Sequence, residues 1–203
     1  MDKKKLVRIF DKQANQYDRR TESLAQGRWR QQLLRHARGN VLELAVGAGA
    51  NFPYYPPGVQ ITAIDFSPAM LDKAKRRAEH LHVNAEFVCA DMEEADFAEH
   101  SFDAVISTLS FCSYRQPLEL LRKIRRWCKP EGEILLLEHG ISSSLFVSVL
   151  QKTLDPLFYR AYGCHQTRNI RQLAEQAGLD VIAAEGYWMD MVQLLRAKPG
   201  LQP

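Results

Sequence analysis

Hydrophobic residues fall into two kinds of pattern along this chain: short continuous runs, and stripes spaced by three or four residues. An almost unbroken apolar run from Val41 to Val46 is typical of a central parallel strand buried on both faces. Further runs predict strands at 60–64, 85–89, 101–107, 134–137, 181–185 and 192–196. The spaced stripes predict helices at 6–17, 22–38, 69–80 and 117–128. Strands that alternate with helices in this way predict an α/β domain.

The first strand runs into a glycine loop, Gly47-Ala48-Gly49. Glycine allows a tight turn and a close approach of the backbone to a ligand, as in nucleotide-binding strand-loop-helix units. Phe52 stands where a dinucleotide site has its third glycine, and Pro53 follows, so the loop disfavours a nicotinamide cofactor. A tight turn that binds nothing is the other interpretation of such a glycine pair.

Acidic residues end the next two predicted strands. Asp65 follows Glu43 by 22 residues, close to the roughly 20-residue interval that leads to a ribose-binding acid. A carboxylate there can accept hydrogen bonds from both hydroxyls of one ribose. The alternative is a helix cap, although Ser67 is the better cap for the helix that follows. Asp91 ends the third strand, and an acidic solvated run is its alternative interpretation.

Three motifs resemble those of class I S-adenosylmethionine-dependent methyltransferases. They are E-x-[G/A]-x-G-x-G from Glu43 to Gly49, F-D-x-V at 102–105, and a K-P-E-G-E turn at 129–133. This chain has Ala45 and Glu131 where the family usually has glycine. The resemblance covers residues 10–140 and implies a Rossmann-like fold, with a seven-stranded, mostly parallel sheet and helices on both faces.

The resemblance also implies S-adenosyl-L-methionine as cofactor and S-adenosyl-L-homocysteine as product. Asp91 and the Met92 amide would then bind adenine, and Asp65 the ribose, while Thr108 is expected near the cofactor. The cofactor-binding residues that it implies are Glu43, Ala45, Gly47, Gly49, Asn51, Asp65, Phe66, Met70, Asp91, Met92 and Ser107.

Two segments outside the motifs are expected to cover the site. Residues 1–38 resemble the N-terminal helical cap of small-molecule methyltransferases, in which Tyr17 would help to close the cofactor pocket. Residues 142–163 carry an apolar helical stripe between the fifth strand and the next helix. This stripe predicts a hydrophobic lid or a membrane-surface helix, and an ordinary core helix is the alternative.

The acceptor is expected to be a small, lipophilic molecule. The segments 49–58, Glu138-His139 and 163–168 resemble the alkyl thiol methyltransferases, and the chain is also similar to bacterial phosphatidylethanolamine N-methyltransferases and quinone C-methyltransferases. A thiol is therefore the first hypothesis, with a phospholipid amine or a quinone as alternatives. A thiol has to lose its proton, and His139 or His165 is a plausible proton acceptor. Tyr17 would orient the molecule that receives the methyl group.

Composition and net charge limit the number of domains and the kinds of partner that we expect. The chain has 203 residues, 46% of them apolar, and a net charge of +3. These values predict a single domain over residues 1–203 that binds no nucleic acid and needs no obligate protein partner. The four cysteines lack metal spacing, so no metal site is expected, and we expect a cytoplasmic protein, with peripheral membrane contact as an alternative. Two rival functions stay open: a nicotinamide-dependent oxidoreductase and a non-catalytic cofactor-binding subunit.

Overall fold

A computed structural model describes residues 3–17 and 23–200 and contains one seven-stranded sheet. The strand order is β3-β2-β1-β4-β5-β7-β6, in which only β7 runs antiparallel to its neighbours. The predicted seven-stranded, mostly parallel sheet is thus confirmed. The strands are β1 Asn40–Leu44, β2 Gln60–Asp65, β3 Ala85–Cys89, β4 Phe102–Thr108, β5 Cys128–His139, β6 Asp180–Tyr187 and β7 Val192–Lys198.

Helices cover both faces of the sheet, as predicted. One apolar cluster contains Trp29 and Leu33 with Leu71, and the opposite cluster contains Trp127 with Ile170. The near-continuous apolar runs of the central strands follow from this burial on both sides. The helices are α1 Lys3–Tyr17, α2 Leu24–Leu34, α3 Pro68–Leu81, α4 Pro117–Trp127, α5 Leu145–Tyr162 and α6 Ile170–Gln176.

The bounds of β1 and β5 differ from the predicted ones for reasons that the backbone shows. β1 ends at Leu44 because Ala45 adopts a left-handed backbone conformation with φ of 48°. β5 begins at Cys128, well before the predicted strand, because the predicted turn is a bulge inside it. Phe102 pairs with Cys128, whereas Ala104 pairs with Glu133, so the intervening residues of β5 bulge out of register.

The order in which the strands are added to the sheet reverses between β1 and β4. β2 and β3 lie on one side of β1, and β4 and β5 lie on the other. The carboxyl ends of β1 and β4 therefore flank a crevice, the usual ligand site of an open α/β sheet. Within residues 3–17 and 23–200, none of the helices has the length and apolar character needed to cross a membrane.

Candidate functional site

A cavity of about 100 Å³ lies in the crevice between β1 and β4; we call it the loop cavity. Its walls come from the glycine loop, from the end of β2 with the start of α3, from the loop after β4, and from α1 and α2. The residues that line it are Phe10, Arg30, Ala45, Val46, Gly47, Ala48, Ala50, Asp65, Phe66, Met70, Thr108, Leu109, Ser110 and Ser113. It thus brings together Ala45, Gly47, Asp65, Phe66 and Met70 from the predicted cofactor residues.

The two glycines of the loop have different physical roles. A Cβ added to Gly49 would lie 2.5 Å from the ring of Phe52, so only glycine lets the loop pack on that ring. A Cβ added to Gly47 would meet no atom closer than the Ala45 carbonyl oxygen at 3.9 Å. Both glycines have positive φ, which a side chain would strain. Gly49 is therefore needed for packing, and Gly47 leaves open space at the wall of the cavity.

Asp65 joins the glycine loop to the start of α3. Its Oδ2 accepts a hydrogen bond from the Gly47 N–H and its Oδ1 accepts one from the Ser67 N–H, both at 2.9 Å. Burial raises the pKa of Asp65, and the backbone donors oppose that rise. Each carboxylate oxygen can accept a second hydrogen bond. Asp65 thus holds the loop and keeps acceptor capacity at the cavity, which suits two ribose hydroxyls.

Asp91 follows β3 and does not line the loop cavity. Together with Phe66 it lines a cavity of about 350 Å³ beside Val7. Its Oδ1 accepts a hydrogen bond from the Glu93 N–H at 2.9 Å. The side chain of Met92 is completely buried in the core, so Met92 can reach a ligand only through its backbone. Phe66 thus lines both the loop cavity, together with Asp65, and the cavity that Asp91 lines.

A network of buried, hydrogen-bonded polar side chains lies behind the glycine loop. Glu43 accepts hydrogen bonds from Asn51 Nδ2 at 2.9 Å and from the Tyr55 hydroxyl at 2.8 Å. Arg30 donates to Thr108 Oγ1 at 2.9 Å and also to the side-chain oxygen of Asn51. Burial raises the pKa of Glu43 to about 7. Glu43 and Asn51 thus lie behind the loop rather than in the cavity wall, and Arg30 and Thr108 connect them to it.

Sequence reasoning missed Arg30. The residue occurs in a helix whose inward side is otherwise apolar, with Trp29, Leu33 and Leu34, and it is 7% exposed. A cation on the buried side of a helix needs a polar partner, so an arginine among inward-facing apolar residues is the sequence feature that could have indicated a buried polar site. The partners themselves, Asn51 and Thr108, are far away in sequence.

A second buried carboxylate, Glu138, fixes the loop after β4. It accepts hydrogen bonds from the Ser107 hydroxyl at 2.7 Å, the Ser110 N–H at 2.8 Å and the Phe111 N–H at 3.0 Å. Burial raises its pKa to about 7. Ser107, predicted to bind the cofactor, has its hydroxyl directed to Glu138 and does not line the loop cavity. Ser107 lies behind Ser110 and Ser113, and these two serines line the loop cavity.

A cavity of about 240 Å³ adjoins the loop cavity and shares Phe66 and Ser113 with it; we call it the helix cavity. Leu6 of α1 and Tyr159 of α5 form one side, and Asp91 also lines it. Phe10 of α1 packs edge-on against Phe66, with ring centroids 5.4 Å apart. The two segments predicted to cover the site thus contribute α1 and α5 to its walls.

The two predicted catalytic histidines are not gathered at one point. His165 Nδ1 lies 2.7 Å from Asp155 Oδ2, and its ring stacks on Tyr159 with centroids 4.0 Å apart. It therefore stands behind Tyr159 and does not itself line the helix cavity. His139 lines neither cavity among the described residues, and burial lowers its pKa while a hydrogen bond to the Met191 backbone opposes this. The side chain of Tyr17 lies outside the described part of the chain.

Comparisons with known proteins agree on one family. Residues 42–136 match the family described as a methyltransferase domain. Thiol S-methyltransferase TMT1B of Rattus norvegicus is 32% identical over 150 residues, 71% of this chain and 62% of that protein. Demethylmenaquinone methyltransferase of Renibacterium salmoninarum is 28% identical over 202 residues, 90% of this chain and 83% of that protein. This chain thus matches less than two thirds of the length of the thiol methyltransferase.

The fold also matches solved structures. Phosphoethanolamine N-methyltransferase 2 of Haemonchus contortus, solved with S-adenosylhomocysteine, superposes with a TM-score of 0.64 at 15% identity. The superposition covers 81% of this chain and 50% of that one. At this identity the likeness concerns the fold alone.

Proposed function

Because residues 42–136 match the family described as a methyltransferase domain, we propose that this chain transfers a methyl group from S-adenosyl-L-methionine to a small, apolar acceptor, with a thiol as the first candidate. One observation carries the proposal. The loop cavity, which has Gly47 and Asp65 in its walls, adjoins the helix cavity, and the two share Phe66 and Ser113. A cofactor that lies in the first and reaches Asp91 at one side of the second would have an acceptor against Leu6 and Tyr159 as its direct neighbour.

The residues present fit the cofactor. Asp65 would accept hydrogen bonds from its ribose hydroxyls, and Gly47 leaves room for close approach of the backbone. Asp91, with the Met92 N–H, would supply the acceptor and donor that the adenine edge needs. When bound, the cofactor supplies a methyl group on a positively charged sulfur, which is already a good leaving group.

The protein mainly has to hold the acceptor in line with that methyl group. Holding reactants in a near-attack geometry is a large catalytic effect in its own right. Tyr159 and Leu6 provide an aromatic and an aliphatic wall for an apolar acceptor, and Ser113 marks the side shared with the cofactor. Asp155 and His165 fix the Tyr159 ring from behind, so we assign them a positioning role.

The thiol is favoured by the rat relative, whose name states thiol S-methylation. A quinone carbon is the second candidate because the demethylmenaquinone methyltransferase matches over 90% of this chain and 83% of its own length. Both acceptors are apolar, and both would contact Leu6 and Tyr159 of the helix cavity. A phospholipid amine, the third hypothesis from the sequence, is supported by the phosphatidylethanolamine N-methyltransferase of Cereibacter sphaeroides, which is 28% identical over 146 residues, 71% of this chain and 71% of that protein.

Ligand-dependent thermal unfolding tests the cofactor part of the proposal. S-adenosylhomocysteine should raise the melting temperature in proportion to the logarithm of its concentration, whereas NAD should not. A rise with NAD and none with S-adenosylhomocysteine would favour the oxidoreductase instead.

A further inference from the structure

Helix α5 faces its polar side chains toward the protein and its apolar side chains toward solvent. Ser148 is buried, and Gln151 accepts a hydrogen bond from the Ser142 N–H at 2.7 Å. Asp155 accepts one from the Gln166 N–H at 2.7 Å and pairs with His165. These contacts, rather than apolar packing, fasten the helix to the domain.

The outward side of the same helix is mainly apolar, with Lys152 and Arg160 also exposed. Leu145 is 81% exposed, Phe146 80%, Val149 52%, Leu150 49% and Leu157 65%. A helix that packs on a core buries such residues, so this helix is inverted with respect to the usual pattern. A contiguous apolar patch of this kind marks a binding surface.

The turn between β6 and β7 extends this surface. Trp188 is 59% exposed and Met189 52%. Ser142 Oγ donates to the Met189 carbonyl at 3.0 Å, which places the turn beside the start of α5. Trp188, Met189 and Asp190 all have positive φ, an unfavourable conformation for residues other than glycine. We call the residues Leu145, Phe146, Val149, Leu150, Leu157, Trp188 and Met189 the α5 patch.

The charges around the α5 patch suit an anionic surface. Lys152 and Arg160 of α5 are exposed, and Asp155, the one acidic residue of this helix, faces inward. α1 packs beside the end of α5, because a Cβ on Gly163 would lie 2.5 Å from Leu6 Cδ1.

α1 adds a stripe of cations to that region. Its exposed residues Lys5, Arg8 and Lys12 recur at helical spacing. Apolar side chains bordered by basic residues are typical of a helix that lies in a membrane interface.

The position of α5 beside the helix cavity also favours a lipid over a protein as the partner of the α5 patch. Tyr159 belongs to α5 and lines the helix cavity together with Leu6 of α1. A bilayer in contact with α5 would therefore lie next to the place where an apolar acceptor would bind. Exposed tryptophan is likewise enriched at the boundary between lipid and water.

We propose that the α5 patch binds the surface of an anionic lipid bilayer, with the helix lying in the plane of the interface. Phe146, Leu157 and Trp188 enter the apolar layer, and Lys152, Arg160 and the α1 cations contact the headgroups. This binding goes beyond the methyl transfer proposed above and does not depend on the identity of the acceptor.

Co-sedimentation of the full chain with vesicles tests the proposal. The protein should sediment with phosphatidylcholine vesicles that contain phosphatidylglycerol, and less with pure phosphatidylcholine or at high salt. Phe146→Ser should weaken the partition by about tenfold or more, as expected for removing one buried aromatic side chain from lipid. Leu24→Ser is the matched control, because Leu24 is 85% exposed but lies on α2.

Tryptophan fluorescence gives an independent measurement. Trp29 and Trp127 are 7% and 1% exposed, so a blue shift on adding vesicles should come from Trp188 and vanish in Trp188→Phe. Each variant should bind S-adenosylhomocysteine as the parent does. If the parent itself does not bind S-adenosylhomocysteine, that result would count against the proposed function and not against the membrane surface.

Three outcomes overturn the proposal. In the first, the protein sediments with neither kind of vesicle, and in the second, Phe146→Ser sediments as well as Leu24→Ser. The third is a dimer in solution, measured by analytical ultracentrifugation, that Phe146→Ser converts to a monomer. A second copy of the chain would then cover the α5 patch.

Discussion

Asp65 serves both the fold of the glycine loop and the proposed cofactor. Its two oxygens already accept the Gly47 and Ser67 N–H groups, and ribose hydroxyls would be further donors. An asparagine in its place would direct an NH₂ group at one of these donors. A single change therefore tests the assignment without removing the shape of the side chain.

We expect Asp65→Asn to raise the dissociation constant for S-adenosylhomocysteine by about tenfold to a hundredfold, since hydrogen bonds to a charged group contribute about 1.5–3 kcal/mol each. Isothermal titration calorimetry measures this directly. Asp72→Asn, at an exposed carboxylate of α3, is the control and should bind as the parent does. Equal affinities for the two variants would remove Asp65 from the ribose site.

Glu43 and Glu138 predict a dependence of stability on pH. Burial raises both pKa values from 4.5 to about 7, so the folded state binds more protons than the unfolded state between these values. The free energy of unfolding should therefore be highest below pH 4.5 as far as these two groups are concerned, and should fall as pH rises to 7. The fall is on the order of 2–3 kcal/mol for each group.

Urea unfolding at pH 5 and pH 8 measures this effect in Glu138→Gln. The glutamine oxygen can accept the Ser110 and Phe111 N–H groups while its NH₂ donates to Ser107, so the network can be kept without a titrating group. The variant should show a smaller fall between the two pH values than the parent. Glu86→Gln, at an exposed position of β3, should leave the fall unchanged. An equal fall in Glu138→Gln and the parent would contradict the assignment of this titration to Glu138.

At the scale of elements, α5 connects the acceptor wall to its support. Tyr159 lines the helix cavity, and His165 stacks on it while bonded to Asp155 of the same helix. His139 sits at the end of β5, where it pairs with Val192 of β7. The two histidines that the sequence offers as bases thus lie in different surroundings, and mutation can separate them.

We expect His165→Asn to raise the KM for the acceptor several-fold, because the Tyr159 ring loses its stacking partner, which contributes about 0.5–1.5 kcal/mol. The dissociation constant of S-adenosylhomocysteine should stay unchanged. Steady-state kinetics with a lipophilic thiol, together with calorimetry, separates the two effects. His139→Asn should alter neither, and a drop in kcat at unchanged KM in that variant would make His139 the proton acceptor instead.

At the scale of the whole molecule, hydrophobic patterns were enough to predict the seven strands, since each buried strand leaves a run that depends only on local sequence. The glycine loop and the strand-end acids Asp65 and Asp91 were likewise visible, because position along the strand decides where they lie. The end of β1 was predicted two residues late. The positive φ of Ala45 is set by the loop as a whole, and nothing in an alanine signals it.

Interactions between distant segments could not be predicted in this way. The contacts from Arg30 to Thr108 and from Ser107 to Glu138 join residues on different elements, and only the folded sheet brings them together. The apolar stripe of α5 fits a core helix and a surface helix equally well in the sequence. The polar contacts of Gln151 and Asp155 decide its orientation, and they place the stripe outward.

The most direct test of the account is the release of S-adenosylhomocysteine from S-adenosylmethionine by the full chain, measured with a small lipophilic thiol and, in parallel, a demethylated quinone. The account predicts release that depends on one of these acceptors, with the thiol favoured, and that decreases in Asp65→Asn at limiting cofactor. A chain that binds S-adenosylhomocysteine but releases none with the thiol, the quinone or phosphatidylethanolamine vesicles would contradict methyl transfer to an apolar acceptor and leave a cofactor-binding subunit.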